Sequence, residues 1–179
     1  LLEKLRETYG INHDTAKKFK IGWHAHTGEN DQEHQIMPAI LKKDEDNYCQ
    51  EGFVIPSYSA NGRLLRVSVA CLETSDSKEQ SPHVLQGSSL SISFFGELKP
   101  IYILVESELD CILLQQECGD LITSASIGRG ALVLDEASYD VLLSAKTVVL
   151  SFKRDTSGRN STLNLLDLFK HNSFYLPII

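Results

Sequence analysis

The stretch VVLSFKRDTSGR, residues 148–159, decides the prediction of the fold. It opens with a short, mostly apolar and β-branched run, which is typical of a strand buried on both faces of a sheet. It closes with a turn into a helical pattern. The charged triplet Lys153-Arg154-Asp155 lies at the junction, so it is either the edge of a functional site or an ordinary strand end.

The residues from Pro100 onward alternate between strand and helix patterns. The strand patterns are short, continuous and apolar, and segments of helical length separate them. This order predicts an α/β fold in which a parallel sheet is flanked by helices. In chain order the patterns are IYILVES (strand), ELDCILLQQECG (helix), LITSAS (strand), DEASYDVLLSA (helix), TVVLSF (strand), SGRNSTLNLLDLFKH (helix) and FYLPII (strand).

Two short helices are predicted at the start of the chain, LLEKLRETYG and HDTAKKFK. Gly10 is the expected C-cap of the first helix, because glycine tolerates the left-handed conformation that ends a helix. Asn12 or Asp14 is the expected N-cap of the second helix.

The two β-rich runs on either side of Asn61-Gly62 predict a β-hairpin, and SISFFG predicts a further strand. Residues 22–52 and 75–89 are polar or poorly periodic, and most of them are expected to be loop. The change of pattern predicts two domains, a smaller mixed α+β subdomain at residues 1–98 and an α/β domain at residues 99–179.

The composition argues against some classes of protein. With 24 acidic residues, 17 basic ones and a net charge of −7 over 179 residues, the chain does not resemble a domain that grips nucleic acid by charge alone. It holds no apolar run of the roughly 20 residues that cross a bilayer. Its four cysteines lack the spacing of a zinc ribbon or a disulfide framework, which favours a reducing, cytoplasmic setting. Because the chain begins without Met inside a helical pattern, we expect it to be a piece of a longer protein.

Carboxylates follow two of the predicted parallel strands. Glu106 ends the first strand, Asp110 follows one helical turn later, and Asp155 follows a neighbouring strand. The carboxyl ends of parallel strands meet at one edge of a sheet, so three carboxylates are within reach of one hard cation such as Mg²⁺. The alternative is that Glu106, Glu108 and Asp110 only complement the positive end of the following helix.

Three motifs in this half resemble the Toprim fold. VESELDC is similar to its Glu-Gly-x-x-Asp motif, VVLSFKRDTSG is similar to its Asp-x-Asp strand, and SIGRG matches the glycine-bearing turn between them. The upstream half resembles the cores of DNA primases of the bacterial replicative and phage primase-helicase types. The segments that carry this resemblance are YGINHDTAKKFKIGW, GFVIPSYSANGRLLRVSVA and SPHVLQGSSLSISFFG, in the same order along the chain.

The resemblance implies a catalytic core that synthesises RNA primers on single-stranded DNA from nucleoside triphosphates, in a replication, mobile-element or phage-like system. It implies that Glu106, Asp110 and Asp155 hold Mg²⁺ and are the catalytic residues, and that Arg129 and Lys153 bind phosphate. A replicative helicase, or a fused helicase domain, is the implied protein partner. No membrane partner is expected.

The sequence departs from the family at charged positions. Lys153 stands where the first Asp of Asp-x-Asp is expected, and an ammonium group cannot ligate a divalent cation. Gln86 or Ser88 stands in place of a phosphate-contacting Lys, and Ser57-Tyr58-Ser59 replaces the Arg-Asp of the hairpin. These losses favour a second hypothesis, a catalytically silent Toprim-like module that binds nucleic acid or a replication protein. A counter-hypothesis keeps the cation on the three carboxylates and gives Lys153 a phosphate contact. A third possible function is a Toprim nuclease that uses the same carboxylates for hydrolysis, but the primase-like upstream half argues against it.

Ordinary structural roles also stay open for some of these residues. Asp155 has the position of a cap for a helix that begins near Arg159. The SIGRG segment is either a phosphate cradle or a tight turn. Arg63 and Arg66 have odd spacing on one strand, so they lie on opposite faces and cannot form one basic patch.

Overall fold

The computed structural model of the chain describes residues 2–25, 51–71, 83–85, 87–128 and 134–170, and the fold is given for these residues. The helices are α1 (Leu2–Tyr9), α2 (His13–Lys18), α3 (Glu108–Cys118), α4 (Glu136–Leu143) and α5 (Thr156–Lys170). The strands are β1 (Gly22–Ala25), β2 (Glu51–Tyr58), β3 (Leu64–Cys71), β4 (His83–Val84), β5 (Ser93–Phe95), β6 (Ile101–Val105), β7 (Thr123–Ser126) and β8 (Thr147–Leu150).

The described strands form one mixed sheet in the order β4-β3-β2-β5-β7-β6-β8, and β1 also pairs with β2. Strand β6 is parallel to both β7 and β8, as the alternating pattern predicts, and the remaining pairs are antiparallel. The predicted α/β class is therefore confirmed. The sheet continues across the boundary predicted near residue 98, because β5 pairs with β2 on one side and with β7 on the other. The FYLPII segment lies outside the described residues.

Helices cover the sheet on both faces. One buried cluster joins α1, α2 and α3 to β2, β3, β5 and β6, and a second joins α4 and α5 to β5, β6, β7 and β8. The chain neighbours Leu104 and Val105 belong to different clusters, as do Phe94 and Phe95, so the clusters lie on opposite faces. With both faces covered, groups carried by the parallel strands are reached from solvent at the strand ends. None of the described helices is both long and apolar enough to cross a membrane.

The predicted helix caps are confirmed at the start of the chain. Gly10 follows α1 with φ +72°, a conformation that costs glycine little. Asn12 is the N-cap of α2, since its Oδ1 accepts a hydrogen bond from the backbone N–H of Thr15 over 2.9 Å.

The predicted hairpin is also confirmed, with a turn longer than two residues. Strands β2 and β3 pair antiparallel, with a register irregularity between Ser57 and Tyr58. The Gly62 N–H donates to the Ser59 carbonyl over 2.9 Å, and Gly62 has φ +78° while Asn61 does not take a positive φ. The asparagine-glycine pair thus forms the end of a wider loop in which the glycine alone is left-handed.

Two short strands lie in segments that the sequence predicts to be loop, so the prediction is wrong there. Strand β1 pairs with the first half of β2, and β4 pairs with β3 through Val84 and Ser68. Both are short strands that exist because a longer strand offers its unpaired backbone groups, and their own sequences carry little apolar alternation. Most of the other residues in these two segments lie outside the described part of the chain.

Candidate functional site

The carboxyl ends of β6 and β8 form the candidate site. The Ser151 N–H donates to the Leu104 carbonyl over 2.9 Å, which holds the two strand ends side by side. Immediately beyond, the backbone N–H of Lys153 donates to Oε1 of Glu106 over 3.2 Å. We call residues 106–107 and 153–158 the Glu106–Lys153 corner. Glu106 is half-buried, and the Lys153 side chain is exposed.

Asp155 caps helix α5, as the structural alternative predicts. Its Oδ1 accepts a hydrogen bond from the Gly158 N–H over 2.8 Å, and its carbonyl accepts from the Arg159 N–H over 3.1 Å. The helix begins at Thr156, one residue before the predicted SGRNSTLNLLDLFKH segment. One carboxylate oxygen of Asp155 is therefore engaged by the backbone.

Gly158 contacts both Asp155 and Glu106. It is buried, and a Cβ atom built on it would lie 3.1 Å from Oε1 of Glu106 and would collide with the Lys153 carbonyl. Its N–H also binds the Asp155 carboxylate. The glycine thus lies between two of the three predicted site carboxylates, and it allows the turn after β8 to pack closely against the end of β6.

Asp110 lies in the first turn of α3, and its side chain is exposed. Ser107 is the N-cap of this helix, and its Oγ accepts a hydrogen bond from the Asp110 N–H over 3.2 Å. Within the described residues, the Asp110 carboxylate has no hydrogen bond or ion pair. An exposed carboxylate in a first helical turn is also what the helix dipole favours.

Glu108 points away from the site and forms a buried ion pair that the sequence reasoning missed. Its Oε1 accepts a hydrogen bond from Nε of Arg66 over 2.8 Å and lies 2.8 Å from Nη2 of the same guanidinium, and the side chains of Glu108 and Arg66 are 7% and 1% exposed. Arg66 stands in the apolar run of β3, and such an arginine is buried only with an acidic partner. The sequence signal that could have indicated this ion pair is an arginine within the apolar run of a predicted strand. The prediction that Arg63 and Arg66 share a strand is wrong, because Arg63 lies in the turn just before β3; it is exposed, whereas Arg66 is buried.

The glycine turn after β7 is tied to the end of β6. Ile127 donates from its N–H to the Val105 carbonyl over 3.0 Å, and the Gly128 N–H donates to Oγ of Ser126 over 3.0 Å. The same Ser126 hydroxyl donates to the Glu106 carbonyl over 3.2 Å. Gly128 has φ +65°, which glycine adopts readily. Arg129, the predicted phosphate ligand of this turn, lies outside the described residues.

The hairpin residues that replace charged family positions do not reach this site. Ser57 is fully buried, and its hydroxyl has no hydrogen-bond partner among the described residues. Next to it, the Tyr58 ring lies 5.7 Å from Nζ of Lys20, as in a cation–π contact. The Ser59 hydroxyl bonds within the hairpin turn.

Mg²⁺ is the cofactor implied by the resemblance, and the residues present do not fit a two-metal site. Within the described ranges, no three His, Cys, Asp or Glu side chains are grouped so that they could hold a metal ion. Glu106 and Asp155 each spend one oxygen on a backbone N–H, and Lys153 adds positive charge at the same corner. A two-metal clamp needs more free carboxylate oxygens than this. A role of Glu106, Asp110 and Asp155 as ligands of one Mg²⁺ stays a prediction.

The fold is that of the catalytic cores of bacterial and phage DNA primases, as the sequence motifs indicate. The similarity extends over nearly the whole chain at 13–18% sequence identity, a level at which the likeness shows the fold alone. No known family profile matches the sequence, and no curated protein matches it.

Three solved structures illustrate the similarity. The zinc-binding and RNA polymerase domains of the Aquifex aeolicus primase match with a TM-score of 0.64 and 18% identity, over 99% of this chain and 49% of that one. The DnaG primase catalytic domain bound to single-stranded DNA matches with a TM-score of 0.63 and 15% identity, over 93% of this chain and 60% of that one. The primase fragment of the bacteriophage T7 primase-helicase matches with a TM-score of 0.60 and 14% identity, over 97% of this chain and 64% of that one. The chain thus spans less than two thirds of each of these structures.

Proposed function

We propose that the chain is a divergent relative of the DNA primase core, which binds the phosphates of single-stranded DNA at the Glu106–Lys153 corner without the two metal ions that primer synthesis needs. The observation that carries this proposal is the hydrogen bond from the Lys153 N–H to the Glu106 carboxylate. This bond supports the proposal because Lys153 occupies the position where the resemblance expects a metal ligand, and its backbone lies beside Glu106, the first implied metal ligand.

The charge of Lys153 opposes metal binding. Its exposed ammonium group repels a divalent cation, and solvent and salt screen part of this repulsion. The same ammonium group attracts phosphate oxygens, for which lysine acts as a point charge. These two effects of Lys153 favour a phosphate over a divalent cation, while Glu106 and Asp155 carry negative charge at the same corner.

Other groups at the start of α5 support an anion contact. The side chains of Arg154 and Arg159 are exposed, like that of Lys153. Helix α5 is 15 residues long, and its N-terminus carries partial positive charge. A solved neighbour, the DnaG primase catalytic domain, has single-stranded DNA bound. Because the whole chain is acidic, binding at this corner should be weak and sensitive to salt.

An active primase core is the second candidate, and the position of Gly158 between Glu106 and Asp155 favours it. In that case Glu106, Asp110 and Asp155 would hold Mg²⁺, while Lys153 and Arg129 would hold the phosphates of nucleoside triphosphates. Both candidates share three further proposals. These are a replicative or fused helicase as partner, a cytoplasmic setting and a domain boundary near residue 98.

Fluorescence anisotropy with a labelled oligothymidine tests the proposal. We expect binding that persists in EDTA, and Lys153→Ala should weaken it several-fold and lower the salt slope by about 0.7, the value for one lost contact to single-stranded DNA. Lys146→Ala is the matched control, because Lys146 is exposed at the opposite, amino end of β8. Template-dependent primer synthesis by the natural chain that Glu106→Gln abolishes would instead establish the active core.

A further inference from the structure

Arg66 is buried in the hairpin half of the sheet, and most of its donors are engaged. Besides the hydrogen bond from Nε and the ion-pair contact of Nη2 with Glu108, Nη2 donates to Oγ of Ser93 over 3.2 Å and Nη1 donates to the Ser89 carbonyl over 3.3 Å. A guanidinium removed from water is costly unless such partners hold it. These four contacts fix its plane in one orientation.

The guanidinium is the floor of the glycine turn after β7. A Cβ atom built on Gly128 would lie 2.6 Å from Nη1 of Arg66 and 2.9 Å from its Cζ. Only a residue without a side chain fits above the arginine, which gives a second reason for glycine besides the positive φ. The height and tilt of the turn are therefore set by Arg66.

Both structures that Arg66 supports lead to Glu106. The Gly128 turn binds Ser126, whose hydroxyl donates to the Glu106 carbonyl. Glu108, held by Arg66, lies two residues after Glu106 in the first turn of α3. The backbone of Glu106 thus lies between the Gly128 turn and the first turn of α3, and Arg66 contacts both of these elements.

We propose that Arg66 is a positioning residue for the Glu106–Lys153 corner. Through Arg66, the hairpin half of the chain fixes the geometry of a site to which it contributes no residue. This inference rests on the proposed phosphate binding for its functional readout. It does not require Arg66 to touch a ligand, and the arginine is too deeply buried to do so.

The test compares the double variant Arg66→Met/Glu108→Leu with the natural chain and with Lys153→Ala. Replacing a whole buried ion pair by apolar residues of similar size is often neutral for stability, so the double variant should keep its melting temperature within a few degrees. Its affinity for the labelled oligothymidine should nevertheless fall to the level of Lys153→Ala. Unchanged affinity in a double variant that melts like the natural chain would overturn the proposal.

Amide hydrogen exchange provides a readout that does not depend on DNA binding. In the double variant, exchange at the amides of Ile127 and Gly128 should become about tenfold faster or more, the equivalent of about 1.4 kcal/mol of local stability. The β8 amides should exchange as in the natural chain. Unchanged protection of both turn amides would contradict the role of Arg66 even where DNA binding is lost. If Lys153→Ala leaves DNA binding unaltered while turn protection falls, phosphate binding at this corner is wrong and the positioning role stands.

If the double variant does not fold, Arg66→Lys serves as the second variant. It keeps the positive charge beside Glu108 but lacks the planar group under Gly128. We expect faster exchange at the Gly128 turn and weaker oligothymidine binding in a folded protein. Natural exchange rates together with natural affinity would show that charge alone is needed and would overturn the positioning role.

Discussion

The backbone N–H of Lys153 and the Oε1 atom of Glu106 lie 3.2 Å apart in a hydrogen bond that joins the ends of the parallel strands β8 and β6. The lysine is placed by the backbone, while its side chain extends into solvent. Substitution of the Lys153 side chain therefore changes the charge of the corner and leaves this hydrogen bond possible. That separation makes Lys153 a suitable residue for testing charge alone.

Gly158→Ala should destabilise the protein. The new Cβ would meet the Lys153 carbonyl, a backbone atom that cannot move without opening the turn, so we expect a loss of about 1–3 kcal/mol. The gain of about 1 kcal/mol in helix propensity only partly offsets this loss. Urea unfolding measures the difference. Gly22→Ala is the control, because its Cβ would lie at an ordinary 3.6 Å from Val54; equal effects of the two substitutions would contradict the packing described for Gly158.

Glu108→Gln should be strongly destabilising because it leaves the buried Arg66 charge without an anionic partner. The expected loss in the free energy of unfolding is about 3–5 kcal/mol. Glu97→Gln is the matched control, since the Glu97–Lys99 pair has a similar distance of 2.9 Å but an exposed carboxylate. Its effect should be close to the error of the measurement. A loss below about 1 kcal/mol for Glu108→Gln would mean that the pair is not held as described.

Asp135 should make stability depend on pH at the start of α4. Hydrogen bonds from the side chain and the backbone N–H of Ser138 lower the pKa of Asp135, so the folded state prefers the carboxylate. The resulting stability is present above the pKa of the unfolded chain and is lost as the pH falls through the lower, folded-state pKa.

Asp135→Ala should remove the cap and cost about 1 kcal/mol near neutral pH. The difference from the natural chain should shrink below about pH 3, where the carboxyl group is protonated in the unfolded state. Asp135→Asn keeps an acceptor without the titration, so its cost should be smaller. Denaturant unfolding at both pH values tests this, and a constant difference between the natural chain and Asp135→Ala would contradict it.

The sequence predicts the elements around the candidate site because their patterns are local. The alternation from Pro100 to the residues of α5 follows from apolar runs and caps that lie close together in the chain. The Asn61-Gly62 hairpin and the Asn12 cap are local signals of the same kind. Asp155 shows a limit of local patterns, because its position in the sequence fits both a helix cap and a site carboxylate, and spacing alone does not separate the two roles.

Features that depend on distant partners could not be read in the same way. Strands β1 and β4 exist because β2 and β3 offer them a pairing edge. The pair of Arg66 and Glu108 joins residues 42 positions apart. The apolar pattern around Arg66 does not show which carboxylate lies opposite it.

Calorimetric titration of Mg²⁺ into the natural chain and into Lys153→Asp tests the central claim most directly. We expect no appreciable binding by the natural chain, measurable binding by Lys153→Asp, and loss of that binding when Glu106→Gln is added. Appreciable Mg²⁺ binding by the natural chain that Glu106→Gln removes would contradict the account and would place the chain among active metal-dependent cores.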